Sequence, residues 1–223
     1  MRRRLSVLCA AVVSGLFWLA PANNVLAQGT TPDWKDDWSL ASGFTIDADT
    51  EGFNFPSDIE FIPNPGSRPE DPLYFVLELK GTLKVVTNDR TTHIFAKDFI
   101  PIPLKESFQE IGSAGMCLDP VRGYVYVTFG YLDKTQVFRN GMVRFTATPE
   151  TFGLAAGERL FLLDIFANER SDTSHQIGPC AISDDQLYVP VGYGKERSQS
   201  QNLQTTLGSI LRMDLDLQPA PDN

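Results

Sequence analysis

Two histidines are the only imidazole side chains in this 223-residue sequence, and one of them opens a short polar motif. His175 begins the segment His175-Gln-Ile-Gly178, whereas His93 lies in a strand-like Thr-Thr-His-Ile run. Because a neutral imidazole can accept a proton near neutral pH, His175 is a candidate general base. The simpler interpretation makes it a polar loop residue that bonds to neighbouring backbone. For His93 we expect an exposed position on a strand.

The cysteines indicate little chemistry. Cys9 lies in the apolar N-terminal segment, which leaves Cys117 and Cys180 in the rest of the chain. Their spacing matches neither a zinc site nor a redox CxxC motif. One disulfide is possible in an oxidising compartment. The sequence slightly favours two buried free thiols, because both cysteines fall at equivalent places of a repeated pattern.

Residues 1–27 have the pattern of a signal peptide. A basic head, Arg2–Arg4, precedes an apolar run from Leu5 to Ala20, and Val25-Leu-Ala27 resembles a cleavage site. An uncleaved anchor is the alternative, but this run is shorter than the roughly 20 apolar residues of a membrane-spanning helix. We therefore predict cleavage before Gln28, a periplasmic or secreted protein, and no membrane span after cleavage.

Loss of the leader removes three arginines and no acidic residue, so the formal net charge falls from −9 to −12. Such an acidic surface disfavours nucleic acids and anionic membranes as partners. It carries no information about neutral ligands.

After the leader, residues 28–50 form a polar lead-in, and residues 51–223 consist of short β-rich runs separated by Gly, Pro, Asn and Asp. Helical periodicity is weak throughout this part. The segment 150–163 could hold one turn of helix, but Gly153 and Gly157 argue against a longer one.

Three of these runs repeat one another. Each copy has a short strand, a polar turn, a strand that contains Tyr and a further strand that opens with Gly. Tyr74, Tyr126 and Tyr188 mark the copies at intervals of 52 and 62 residues. Propeller blades repeat at roughly 40–50 residues and lengthen with loop insertions. We therefore predict an all-β fold, a β-propeller with about three blades, and keep a β-sandwich as the alternative.

Three blades cannot close a ring, and open blade faces would leave apolar surface and strand edges in water. We therefore expect this sequence to be the front part of a longer protein or a truncated gene product.

Four ordered patterns carry a resemblance to a known family. The first three are Pro56–Pro63, Glu78–Leu83 and Glu110–Pro120. The fourth combines the His175 motif with a Leu-Tyr strand ending at Gly192, the strand 207–216 and the end 219–223. Together they resemble the glucose/sorbosone dehydrogenase family, the soluble PQQ-dependent sugar dehydrogenases. In the second and third patterns, Leu79, Ser113 and Ala114 depart from the family residues.

The resemblance implies a propeller that is six-bladed in full length and an enzyme that oxidises aldoses. In the family the His of this motif is the general base, taking the hydroxyl proton while hydride passes to PQQ, and His175 matches it. Glu110 matches a position near the sugar, with a solvated carboxylate in a turn as the alternative, and Gln176 completes the His motif. Tyr193 stands where the family usually has Asp. A phenol does not supply an anion at neutral pH, so Tyr193 weakens the expectation of sugar oxidation or points to another substrate.

The cofactors that the resemblance implies are PQQ and calcium, held largely by the later blades of the family fold. The implied partners are a small sugar and an electron acceptor such as a quinone or cytochrome c. Arg212 matches the family strand pattern, where we expect a structural ion pair, and Asp214 and Asp216 are oxygen donors with an ordinary surface alternative. The 223-residue chain alone is not expected to be active.

Two alternatives remain open. A non-catalytic propeller could bind a carbohydrate or a protein partner, as Tyr193 and the replaced leucines suggest. A calcium-dependent propeller hydrolase such as a lactonase would use channel carboxylates rather than a His base.

Overall fold

The computed structural model describes residues 38–101, 111–163, 166 and 169–220. The chain divides into two compact units, residues 1–47 and 48–223. In the first unit the described residues 38–47 contain a turn, in which the Phe44 N–H donates to the Ala41 carbonyl at 3.2 Å. The predicted leader lies outside the described residues.

The second unit contains three antiparallel sheets, each with its strands paired in chain order. The first sheet comprises β1 (Pro56–Phe61), β2 (Pro72–Glu78), β3 (Thr82–Thr87) and β4 (Thr92–Lys97). The second comprises β5 (Ser113–Asp119), β6 (Tyr124–Leu132), β7 (Phe138–Thr146) and β8 (Arg159–Leu162). The third comprises β9 (Ala181–Ser183), β10 (Gln186–Val191) and β11 (Ser209–Asp214), with a short 3-10 helix, Arg197–Gln199, between β10 and β11. No α-helix occurs among the described residues, which confirms the all-β prediction.

Strand β6 shows how the second sheet packs on both sides. Val125, Val127 and Phe129 are fully buried in a core cluster shared with the first sheet. Tyr126, which alternates with them, is fully buried in a cluster shared with the third sheet. Because successive side chains of a strand point to opposite faces, this near-continuous apolar run fits a sheet that is covered on both faces.

The three repeated tyrosines do not all occupy the same face. Tyr126 is directed toward the following sheet, and Tyr188 alternates with Leu187 and Val189, which pack toward the preceding sheet. Tyr74 instead lies in a small cluster on the side of the first sheet that faces away from the second. The first repeat is therefore out of phase by one residue, a shift that exchanges the two faces of a strand.

The first strands of the sheets lie side by side. The Met116 N–H on β5 donates to Asp58 Oδ2 on β1 at 2.8 Å. On the other side of β5, Gly115 lies so close to Pro179 that a Cβ at position 115 would collide with the proline. Three sheets joined through their first strands form part of a radial β-propeller. The second sheet is covered on one face by the first sheet and on the other by the third, an arrangement that a two-sheet sandwich does not provide.

Cys117 on β5 and Cys180, directly before β9, form a buried disulfide with a Cα–Cα distance of 5.5 Å. The preference for two free thiols is therefore wrong. That prediction rests on the equivalent repeat positions of the two cysteines, which indicate a shared packing role. In a radial fold, equivalent positions of neighbouring first strands face one another across the sheet boundary, so the equivalence brings the two thiols together.

The segment 150–163 contains no helical turn in its described structure. Phe152 forms an isolated bridge with Thr148, and residues 159–162 pair with β7 as the outer strand β8. No helix of the described part of the chain is long and apolar enough to cross a membrane.

Candidate functional site

His175 lies where the chain enters the first strand of the third sheet. Two residues later, Ile177 forms a bridge with Val191, so the strand pairing of β9 and β10 extends toward the histidine. His175 has a φ of 55°, in the left-handed region, and its carbonyl accepts a hydrogen bond from the Gly194 N–H at 2.9 Å. Non-glycine residues in this region are uncommon and occur often at functional sites. The side chain is exposed in this chain.

Gly192 allows the two segments of the site to cross closely. Its N–H donates to the Gln176 carbonyl at 2.7 Å. A Cβ at position 192 would collide with the carbonyl oxygens of both His175 and Gln176. Only glycine therefore permits this approach without moving the histidine backbone.

The crossing places the ring of Tyr193 directly on the ring of His175. Their centroids are 4.7 Å apart and the planes differ by 17°, which is a stacked arrangement. Tyr193 is half-buried, whereas His175 is exposed. Two residues that the sequence predicted for the site, 18 positions apart, are thus in contact.

Gln176 occupies a different environment from its neighbour His175. Its side-chain oxygen lies against Gly130 of β6, so closely that a Cβ at position 130 would collide with it. The residue is half-buried. The structure therefore places Gln176 in the boundary between the second and third sheets.

Two buried polar residues of the second sheet anchor the His motif. The Ile177 N–H donates to Asn140 Oδ1 at 3.3 Å. Thr128 Oγ1 donates to the Gly178 carbonyl at 2.8 Å, and the Gly115 carbonyl lies 3.2 Å from the same hydroxyl. The sequence interpretation missed Asn140 and Thr128 as parts of the site. The signal available for Thr128 was a polar residue inside the apolar run of β6, since buried polar groups need partners, whereas β7 contains other polar residues that conceal Asn140.

An ion pair joins the segments on either side of the stacked rings. Lys195 Nζ lies 3.1 Å from Asp172 Oδ1 and 3.2 Å from Thr173 Oγ1. The hydrogen bond from the Thr173 N–H, followed by that from Lys195, lowers the pKa of Asp172 below its usual value. As pH falls from the unfolded pKa near 3.9 through the lower folded pKa, protonation of Asp172 weakens its ion pair with Lys195.

The other predicted site residues have ordinary surroundings or lie elsewhere. Glu110 falls outside the described residues. His93 lies on the outer strand β4, as expected, but it is half-buried rather than exposed. Arg212 pairs with Tyr188 in the β10–β11 ladder. Asp214 Oδ1 accepts the Gln218 N–H at 2.8 Å, which is a turn contact.

The described residues do not supply a site that fits either implied cofactor. PQQ is a trianion that needs several cationic side chains, and Lys195 is already paired with Asp172. In the described ranges no group of three or more His, Cys, Asp or Glu side chains could hold a metal ion. No catalytic step is therefore assigned to PQQ or calcium from these residues.

The radial sheets, joined through their first strands with a histidine motif at one of those strands, define a partial β-propeller with a candidate site at a sheet boundary. The model of the family Glucose / Sorbosone dehydrogenase matches residues 53–223, and the chain belongs to this family. The resemblance drawn from the sequence motifs is confirmed.

Solved structures with the same fold include an oxidoreductase described as a glucose dehydrogenase from Thermus thermophilus, at 22% identity and a TM-score of 0.58. The match covers 79% of this chain and 48% of the Thermus thermophilus chain. A second glucose dehydrogenase shares 16% identity at a TM-score of 0.60, and the match covers 77% of this chain and 51% of that dehydrogenase. The soluble aldose sugar dehydrogenase of Escherichia coli, in its apo form, shares 11% sequence identity at a TM-score of 0.52. That match covers 77% of this chain and 47% of the Escherichia coli chain.

These low identities establish the fold alone, and the chain spans about half the length of the structures it matches. The comparison with curated proteins finds no match.

Proposed function

We propose that this chain forms part of an exported, PQQ-dependent sugar dehydrogenase in which His175 accepts the proton of the sugar hydroxyl. The observation that carries the proposal is the position of His175. Backbone hydrogen bonds and the stacked Tyr193 ring hold an exposed imidazole at the entrance to a first strand. Membership of the glucose/sorbosone dehydrogenase family supports a sugar as the substrate.

Oxidation of an aldose at its hydroxyl-bearing carbon removes a proton from oxygen and a hydride from carbon. In the proposal the imidazole of His175 takes the proton, because a neutral ring nitrogen is a suitable acceptor at neutral pH. Family membership alone supports PQQ as the group that would accept the hydride, since the described residues supply no site for it. A quinone or cytochrome c is proposed as the final electron acceptor, and calcium as the accompanying ion.

Two features support export to the periplasm or the medium. The N-terminal sequence has the pattern of a signal peptide. Cys117 and Cys180 form a disulfide, which persists in oxidising compartments and is rare in the cytosol.

The test uses the full-length gene product reconstituted with PQQ and calcium, with reduction of a dye by aldoses as the measurement. His175→Ala is expected to lower kcat by roughly 10²–10⁴-fold, the usual contribution of a general base. His93→Ala is the matched control, because it removes the other histidine from the outer strand β4. Equal activity of the two variants would remove His175 from the mechanism.

The stacked pair also favours a second candidate function, carbohydrate binding without oxidation. The aromatic rings of Tyr193 and His175 present a surface where the family usually has a carboxylate. Calorimetry with aldoses would support this candidate if binding persists while the reconstituted protein neither binds PQQ nor reduces dye.

A further inference from the structure

The contact between Tyr193 and His175 has features of a fixed orientation rather than a chance surface contact. Each ring is attached to a backbone segment that is hydrogen-bonded to the other segment. The Gly192 N–H donates to Gln176 O at 2.7 Å, and the Gly194 N–H donates to His175 O at 2.9 Å. These two bonds lie on either side of Tyr193, so its backbone cannot move away from that of His175 without breaking them.

The backbone alone does not orient an imidazole. The left-handed conformation of His175 sets the direction of its Cα–Cβ bond, but an exposed ring can still rotate about its side-chain torsions. A ring stacked 4.7 Å away at 17° restricts that rotation. Because the nitrogens of an imidazole lie in the ring plane, a contact with the face leaves both of them at the ring edge.

We infer that Tyr193 is a positioning residue, which holds the His175 ring so that a nitrogen at its edge is presented to the sugar hydroxyl. The inference rests on the proposed function and assigns a role to the residue that replaces an acidic one. A carboxylate would orient an imidazole through a hydrogen bond to one nitrogen and would stabilise the charged ring. Tyr193 instead acts through its ring face, so the aromatic ring, rather than the phenolic hydroxyl, is the part required.

The first measurement needs no catalysis. NMR of the full-length gene product observes the ring protons of His175, which the His175→Ala variant assigns, and those of His93, assigned by His93→Ala, serve as the internal reference. Stacking shifts the His175 ring protons upfield through the ring current of Tyr193. Tyr193→Leu is expected to remove this shift and Tyr193→Phe to preserve it, while the His93 signals stay the same in both variants. Unchanged His175 signals in Tyr193→Leu would overturn the inference.

The second measurement is the turnover of the reconstituted full-length gene product. Tyr193→Leu is expected to lower kcat by roughly ten- to a hundredfold, with KM changed less, because a misplaced base loses its reactive geometry. Tyr193→Phe should recover much of that loss, since it keeps the ring. Wild-type kcat in Tyr193→Leu, or no recovery in Tyr193→Phe, would contradict a positioning role for the ring.

The two hypotheses fail in different ways. If His175→Ala matches the wild type in turnover, the proposed function fails, and the role of Tyr193 in catalysis fails with it. If His175→Ala abolishes turnover while Tyr193→Leu changes neither the NMR shift nor kcat, only the role of Tyr193 is overturned. A melting curve of each variant separates these outcomes from unfolding.

Discussion

At the residue scale, the buried phenol of Tyr126 contributes to the stability of the fold through a hydrogen bond. Its phenol is fully buried between the second and third sheets and donates to the Leu215 carbonyl at 3.0 Å. The same carbonyl accepts a hydrogen bond from Arg144 at 3.2 Å. Burial raises the pKa of Tyr126 to about 12, because a phenolate would lose its hydration there.

Tyr126→Phe is expected to lower the free energy of unfolding by about 1 kcal/mol at neutral pH, the net contribution of one buried hydrogen bond. The loss is limited because Leu215 keeps its bond from Arg144. Urea unfolding of the two proteins measures the difference. An unchanged midpoint would show that the Tyr126 hydroxyl contributes nothing to stability.

The raised pKa also predicts a pH dependence. The unfolded phenol ionises near pH 10, below the folded pKa of about 12. The contribution of Tyr126 is therefore complete below about pH 10 and is lost as pH rises toward 12. Tyr126→Phe should lose less stability than the wild type between pH 8 and pH 11, as measured by urea unfolding at each pH.

At the scale of elements, the junctions between first strands hold the sheets together. Asp58 of β1 accepts the Met116 N–H of β5 at 2.8 Å, so a side chain satisfies a backbone donor of the neighbouring sheet. Glu60, two residues along the same strand, is half-buried. Burial, with repulsion from Asp58, raises the pKa of Glu60 above its usual value.

Asp58→Ala is expected to cost about 1–3 kcal/mol, because it leaves the Met116 N–H without its partner. Glu60→Gln is the matched control on the same strand. It should be neutral or slightly stabilising at pH 7, because the raised pKa of Glu60 means that its charged form is disfavoured in the folded state. Thermal unfolding compares the two, and a larger loss in Glu60→Gln would contradict this account of the junction.

The disulfide closes the other junction, between β5 and the start of β9. Cys117 and Cys180 are 63 residues apart in sequence, so the bond restricts a long loop of the unfolded chain. The double variant Cys117→Ser/Cys180→Ser should lose about 2–4 kcal/mol. A calorimeter should show the same loss when the wild type is reduced and no further loss when the double variant is treated with the reductant. A reductant-insensitive wild type with free thiols by mass spectrometry would refute the bond.

For the molecule as a whole, the leader and the disulfide both predict export to an oxidising compartment. A precursor expressed with residues 1–27 should yield an exported protein that begins at Gln28 and has Cys117 and Cys180 oxidised. A version that starts at Gln28 and stays in the cytosol should carry reduced cysteines. Mass spectrometry of both samples measures the N-terminus and the thiols. An exported protein that retains Arg2–Arg4 would show that the leader is not cleaved.

Much of the architecture follows from local patterns. The repeated runs predicted the first three strands of each sheet, although not the outer strand β8, and the spacing of their Gly and Tyr residues predicted a propeller. The order of the motifs from Pro56 onward indicated the family. These properties can be predicted from the sequence because the alternation of apolar and polar residues and the turn residues act within a few positions of one another. His175 could be selected as a candidate base for the same reason, since its motif spans only residues 175–178.

The remaining features depend on contacts between distant segments, which only the tertiary structure decided. The Cys117–Cys180 bond, the out-of-phase Tyr74 and the anchors Asn140 and Thr128 all depend on which faces neighbouring sheets turn toward each other. Tyr193 appeared in the sequence only as a missing carboxylate. Its stack on His175 exists because Gly192 lets two strand ends cross, and no periodicity within either segment encodes that distance.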